Sequence, residues 1–93
     1  MSDHIPTVDV ITVPWNHKRF MQPLFEGLRY VDYPQDAFTV HLVDNASTDG
    51  TADEIRHLMA TMDDLPHIIL HEPGKNLGFA GGNNLIIKLF RTL

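Results

Sequence analysis

No cysteine occurs in these 93 residues, so neither a disulfide framework nor a thiolate zinc site is available. Basic residues are also scarce. Seven Lys and Arg stand against twelve Asp and Glu, a net charge of −5. That balance argues against a nucleic-acid or anionic-membrane surface, which needs a clustered basic face. The only basic cluster, His17-Lys18-Arg19, is too short to supply one. No apolar run approaches the ~20 residues of a membrane span. The opening residues Met1-Ser2-Asp3-His4 lack the basic and apolar regions of a secretory signal. These absences lead to the expectation of one small cytoplasmic domain over residues 1–93, with no repeat, low-complexity tract or linker.

The stretch that organises the chain is Val43-Asp44-Asn45-Ala46-Ser47-Thr48-Asp49-Gly50-Thr51. An apolar run through Phe38, Val40, Leu42 and Val43 stops at two side chains rich in hydrogen-bonding atoms. Small turn formers follow, and an amphipathic segment begins at Thr51. This reads as a strand, a tight polar loop and a helix start, with Asp49 or Thr51 as the N-cap. In open α/β sheets ligands bind at such loops, beyond the carboxyl ends of the strands. The plainer reading of Asp44 and Asn45 is that they turn the chain, as Asx residues do.

In chain order, residues 8–13 are β-branched and bounded by Pro6 and Pro14, which predicts a first strand. Pro14 has no backbone donor, so pairing ends there. Trp15 and Asn16 occupy the following loop, where the indole is either a packing residue or a platform for a base. Phe20, Met21, Leu24, Phe25, Leu28 and Val31 recur at three- and four-residue spacings, one stripe of a helix. Pro23 inside that stripe predicts that the regular helix begins near Gln22, with the proline in its first turn. A second strand is predicted over residues 39–43. A second helix over 51–62 should bury Ile55, Leu58, Met59 and Met62, and a third strand spans 67–71. Residues 73–84 hold four glycines and three asparagines, a loop able to bring backbone close to a ligand. Leu85, Ile86, Leu89, Phe90 and Leu93 then trace a last helical stripe. The alternation predicts β-α-β-α-β-α, an α/β three-layer Rossmann-like half sheet, parallel, of order 3-2-1.

Other signatures fail on position. Gly78, Gly81 and Gly82 have the wrong spacing for a dinucleotide fingerprint and follow the third strand, not the first. No G-x-x-x-x-G-K-[ST] loop exists. Asn45, Ser47, Asp49 and Gly50 imitate a calcium loop, but its last position, which needs a bidentate Glu, is Arg56. Thr48-Asp49-Gly50-Thr51 echoes a phosphatase motif whose nucleophilic Asp is here Ser47. His67 and His71 share a strand face about 13 Å apart, too far for one metal ion. The six histidines read as structural or exposed, with His17 nearest the crevice.

Three stretches together resemble the family 2 glycosyltransferases, enzymes of GT-A fold that use nucleotide-diphosphate sugars. Val10-Ile11-Thr12-Val13-Pro14-Trp15-Asn16 is similar to that family's opening strand and its aromatic turn. The stretch from Val43 to Thr51 is similar to V-D-N-x-S-x-D-G-T, and Asn76-Leu77-Gly78-Phe79-Ala80-Gly81-Gly82-Asn83-Asn84 to the N-x-G-F-A-G-G-x-N of rhamnosyltransferase-like members. Order and spacing agree across nearly the whole chain.

The resemblance implies a truncated GT-A fold and roles by position. Trp15, flanked by Pro14 and Asn16, would stack on the nucleotide base. Asp44 would accept hydrogen bonds from base or ribose, and Asn45 would hold the ribose side. Asn76 and Gly78 would lie near ribose and diphosphate, with Asn84 starting the next helix. Pro14 and Trp15 depart from the commoner Asn-Tyr, which leaves the base open. The family's D-x-D motif, whose aspartates hold a divalent ion against the leaving diphosphate, lies beyond that helix, and the catalytic base and acceptor site lie later still. The implied function is the donor half of an inverting glycosyltransferase, inactive alone, with no catalytic or metal residue and no cofactor in this chain. The full-length enzyme is expected to use magnesium or manganese and a saccharide or lipid-linked acceptor, in the cytoplasm or at the periphery of the inner membrane. The alternative is a non-catalytic, truncated or degenerate Rossmann-like interaction module. With order 3-2-1, strand 8–13 lies at an edge that a later strand covers in the resembling family, so self-association through it is expected.

Overall fold

The computed structural model describes residues 6–91, with side chains as far as Leu89. The elements run β1 (Val8–Thr12), α1 (Lys18–Leu28), a 3-10 turn (Gln35–Ala37), β2 (Phe38–Val43), α2 (Thr51–Thr61), β3 (His67–His71) and α3 (Gly78–Arg91). The strands form one parallel sheet with β2 in the middle, Val10 opposite Val40 and Val40 opposite Ile68. This is the half sheet the hydrophobic pattern predicts. Among the described residues no helix is long and apolar enough to cross a membrane.

Strand alternation divides the sheet into two unequal faces. Phe38, Val40, Leu42 and Ile68 share one face and pack with Met21 and Phe25 of α1 and Ile55 and Leu58 of α2. Phe25, Leu42 and Ile55 are fully buried; each contributes about 1.5–3 kcal/mol through removal from water. The other face carries Asp9, Ile11, His41, Val43 and His71, and α3 lies against it over β1 and β2. Fully buried Val43 and Ile86 stand outside the main cluster.

Several boundaries differ from the sequence expectation. β1 stops at Thr12, one residue early. α1 begins at Lys18, so Pro23 sits in the helix interior and removes one i to i−4 bond there. Of its stripe, Met21 and Phe25 are buried, while Phe20 and Val31 are exposed. In α2, Ile55 and Leu58 face the core and Met59 is exposed. The N-cap of α2 is Gly50, in the left-handed region at φ 91, and neither Asp49 nor Thr51 takes that place. The largest difference is α3. It begins at Gly78, so the glycine-rich stretch is mostly helix, and Asn84 is an exposed residue two turns inside it, not its start. Of the predicted last stripe, the side chain of Phe90 and all of Leu93 lie outside the described residues.

Packing explains why glycines are helical here. A Cβ at Gly82 would lie 2.7 Å from Val13 Cγ1 and 3.1 Å from Cγ2, and one at Gly81 would lie 2.9 Å from Leu77 Cβ. Gly82 lets α3 approach the end of β1 closely, against the short, β-branched and rotamer-restricted side chain of Val13. Gly82→Ala is therefore expected to destabilise the fold by about 1–3 kcal/mol through overpacking, despite alanine's better helix propensity. A urea midpoint equal to or above that of the parent chain would count against this contact.

Candidate functional site

Three loops meet beyond the carboxyl ends of the strands, and Asn45 ties them together. Its backbone N–H donates to Pro14 O after β1 (3.1 Å). Its side-chain Oδ1 accepts the Leu77 N–H (3.0 Å), and Nδ2 donates to Gly78 O at the start of α3 (3.1 Å). Asn76 Oδ1 accepts the Gly78 N–H (2.7 Å), and Gly78 holds φ 74, a value suited to glycine. Asn45 is buried, so both ends of its amide are satisfied inside the protein.

Asp44, buried beside it, donates its backbone N–H to His71 O (2.9 Å), which anchors it to the tip of β3. Its Oδ1 accepts the Ser47 hydroxyl, and Ser47 Oγ accepts the Asn16 N–H (2.9 Å). Asn16 Oδ1 returns the contact by accepting the Thr48 N–H (2.8 Å). Among the described residues no buried side-chain polar atom lacks a partner. Among those residues Asp44 Oδ2 has no hydrogen-bond partner and therefore keeps contact with solvent. Asp44 lines a cleft of about 550 Å³ with Ser47, Gly50, Arg56, Glu72 and Gly74. Arg56 pairs there with Glu72 and with Asp53 (2.8 Å). Glu72 foremost, then Asp53, pushes the Arg56 pKa up against an opposing effect of burial.

Asp49 serves the turn into α2. Its Oδ1 accepts the Thr51 hydroxyl and the Thr51 N–H (3.0 Å), and its Oδ2 accepts the Lys18 N–H (3.1 Å). The Thr51 hydroxyl is the main reason its carboxyl is held below the usual carboxylate range, against a smaller effect of burial. Thr51, buried, also accepts the His17 N–H (3.1 Å). The end-capping role expected at the start of α2 is thus performed by Asp49 from one residue before Gly50.

The structure brings Pro14, Asn16, Asp44, Asn45, Asn76 and Gly78 into one hydrogen-bonded rim. Trp15 projects from it half exposed, its backbone N–H donating to His17 Nδ1 (3.1 Å). Asn84 stands apart, on an exposed part of α3. Sequence reasoning did not single out Ser47, which joins Asp44 to Asn16; its place three residues after Asp44 was the available signal. It also missed a pairing of His41 with His71 and Asp9 on the face beneath α3. Among the described residues no group of three His, Cys, Asp or Glu is placed to hold a metal ion.

Asn45→Ala leaves the Leu77 N–H and Gly78 carbonyl without their partner, at about 1–3 kcal/mol for each group that stays buried and unsatisfied. The expected result is a stability loss of about 2 kcal/mol or more, read by urea unfolding. An unchanged midpoint would mean that the loops hold together without the amide.

The family described as Glycosyl transferase family 2 matches residues 9–92 of this chain. Among solved structures, a mannosyltransferase from Pyrobaculum calidifontis, in complex with GDP-Man and Mn2+, matches with a TM-score of 0.83 at 31% sequence identity. The match covers 94% of this chain and 25% of the mannosyltransferase, so this chain spans about a quarter of that protein's length. No match is found among curated proteins.

Proposed function

The chain belongs to glycosyl transferase family 2, and on that premise we propose that residues 1–93 bind the nucleotide moiety of a nucleotide-diphosphate sugar, as the donor half of an inverting glycosyltransferase. One observation carries the reading. Asp44 is buried and fixed through backbone and side chain, yet one carboxylate oxygen stays open at the crevice. A fixed carboxylate oxygen accepts N–H or O–H donors from a base edge or a ribose without reorganising. Trp15, half exposed on the neighbouring loop, offers an aromatic face for stacking. The similar mannosyltransferase is a GDP-Man complex, which makes GDP-mannose the first probe.

Asn76 and Gly78 lie on the diphosphate side in this reading by their place at the start of α3, with the Gly78 N–H and carbonyl already bonded to Asn76 and Asn45. Asn84 has no place in this reading, being two turns further along the helix. A divalent cation belongs to the full-length enzyme in the same proposal, as does a saccharide or lipid-linked acceptor. The residues here do not fit the ion. Asp49 has both oxygens engaged, and Asp44 has no second carboxylate among the groups it bonds. The chain alone is accordingly not expected to turn over sugar. The cysteine-free composition fits a cytoplasmic location within the same proposal.

A second reading, the non-catalytic interaction module, has one observation in its favour. Most polar atoms of the three loops are already bonded to one another, as a purely structural set of turns requires. Titration separates the two. The single tryptophan, Trp15, makes its fluorescence a direct reporter. GDP-mannose and UDP-glucose are expected to quench it saturably. Asp44→Ala should weaken binding about ten-fold or more, as loss of a hydrogen bond to a charged group does. Trp15→Ala, followed by calorimetry, should weaken it by about 1–3 kcal/mol of stacking. Absence of binding by either nucleotide sugar favours the module.

Self-association through residues 8–13 belongs to the same proposal. Among the described residues β1 pairs with β2 alone, so its outer edge offers unpaired donors and acceptors. An apolar cleft of about 470 Å³ runs along that edge, lined by Ile11, Val13, Phe20, Leu24 and Phe79. Two copies pairing their β1 strands antiparallel would close both edges about a two-fold axis. Light scattering of the chain at increasing concentration is expected to show a dimer, and Ile11→Lys a monomer. A parent chain that stays monomeric throughout defeats the proposal.

A further inference from the structure

Beneath α3, three side chains from three strands are joined in a line. Asp9 of β1 lies 3.0 Å by Oδ1 from His41 Nε2 on β2, and His41 Nδ1 lies 3.1 Å from His71 Nε2 at the end of β3. The imidazoles stack with centroids 5.3 Å apart and planes inclined by 26°. The His41 side chain is only 7% exposed, against 40% for Asp9. The partners assign the protons. With both rings neutral, His41 donates from Nε2 to the carboxylate and accepts at Nδ1 from the His71 Nε2–H. The line is then fully satisfied.

One added proton can be carried by either ring with the N···N hydrogen bond kept, and Asp9 offsets its charge. A second proton cannot. It would set two N–H donors against each other at this distance and two positive charges on stacked rings. The only relief is for His71 to swing out, since His41 is held between β1, β3 and α3. His71 is the last residue of β3, and its carbonyl accepts the Asp44 N–H (2.9 Å). The next residue, Glu72, pairs with Arg56 across the Asp44 cleft. The imidazole pair and the crevice therefore share one strand tip.

We propose that Asp9, His41 and His71 form a proton-sharing switch that releases the tip of β3, and with it the Asp44 anchor, as the medium turns acidic. Its effect on ligand rests on the nucleotide-binding reading of Asp44; its effect on the strand tip does not. On the same sheet face β3 adds His67, which is exposed and one turn of the pleat away, and the ionisable side chain described on α3 is the exposed Lys88. Burial first, and His41 second, hold the His71 pKa below its ordinary 6.5. For a base depressed in this way, the unfolded chain binds more protons as pH drops. The stability contribution is complete above 6.5 and is lost as pH falls through the lower, folded-state value.

The test follows the ligand-free chain by NMR between about pH 8 and pH 5, the window in which histidine titrates. The His71 imidazole is expected to titrate within it, with the Asp44 amide resonance moving in step. In His71→Gln, whose amide can still donate to His41 but does not titrate, the Asp44 amide should stay fixed. In Asp9→Asn the transition should move to lower pH, because the charge that favours protonation is gone. A His71 imidazole that titrates while the Asp44 amide stays still, or an Asp44 amide that moves alike in parent and His71→Gln, overturns the switch. Affinity for GDP-mannose, whose diphosphate is esterified at both ends and does not titrate here, should fall about five-fold or more across the window in the parent and less than about two-fold in His71→Gln. If the parent binds no nucleotide at pH 8, the reading of Asp44 fails, and the switch stands or falls on the Asp44 amide alone.

Discussion

The buried amide of Asn45 is the constraint on which the rest of the site depends. A parallel sheet ends in loops that have no ladder to hold them, and each must be ordered against its own conformational entropy. Here one side chain bonds the start of α3 twice while its own backbone holds the loop after β1. Leu77 and Gly78 are more than thirty residues from Asn45, so the contact closes the most distant part of the fold onto its centre. An aspartate at this position could accept the Leu77 N–H but not donate to Gly78, and would add a buried charge. The amide is the group that does both.

The acidic residues of the second loop divide by what their oxygens already do. Asp49 is spent on structure, its two oxygens taking the N–H groups that open α1 and α2. That arrangement joins two helix starts through one carboxylate and relieves orphan donors at both. Asp44 keeps an oxygen in reserve, and Ser47 holds the other in place. Two aspartates five residues apart therefore have different chemical prospects, and only the hydrogen-bond inventory separates them.

Much of this was legible in the sequence, for reasons that differ by element. The third strand predicted over 67–71 coincides with β3, a short run centred on Ile68, Ile69 and Leu70. Strand order followed from the alternation of elements, and the placing of Asp44 and Asn45 from the abrupt end of an apolar strand. The start of α3 was not legible. Glycine and asparagine disfavour helix locally, and what overrides them is the close approach of Gly82 to Val13, a contact between residues nearly seventy positions apart. The same holds for Asn84, whose expected place at a helix start went with the misplaced boundary. Met59 matched the helical period but fell outside the arc that the core covers. The bond between His41 and His71 needs the parallel register of β2 and β3, in which Val43 and His71 are opposite. Neither histidine announces the other in the linear text.

The unequal faces of the sheet explain why such a pair is tolerated at all. The face under α1 and α2 is apolar throughout its buried centre, and an imidazole there would be desolvated without a partner. The face under α3 is covered by one helix alone, and it borders the crevice at its upper end. A polar line running from the open edge at Asp9 to the strand tip at His71 meets solvent at both ends and is dry only at His41. Each histidine nitrogen facing the interior meets a partner from a neighbouring strand, so burial is compensated by hydrogen bonding and not by packing. Polar compensation of this kind depends on protonation state in a way that the apolar face does not. The fold thus has one layer indifferent to pH and one sensitive to it, and the sensitive layer is the one that carries the carbonyl holding Asp44.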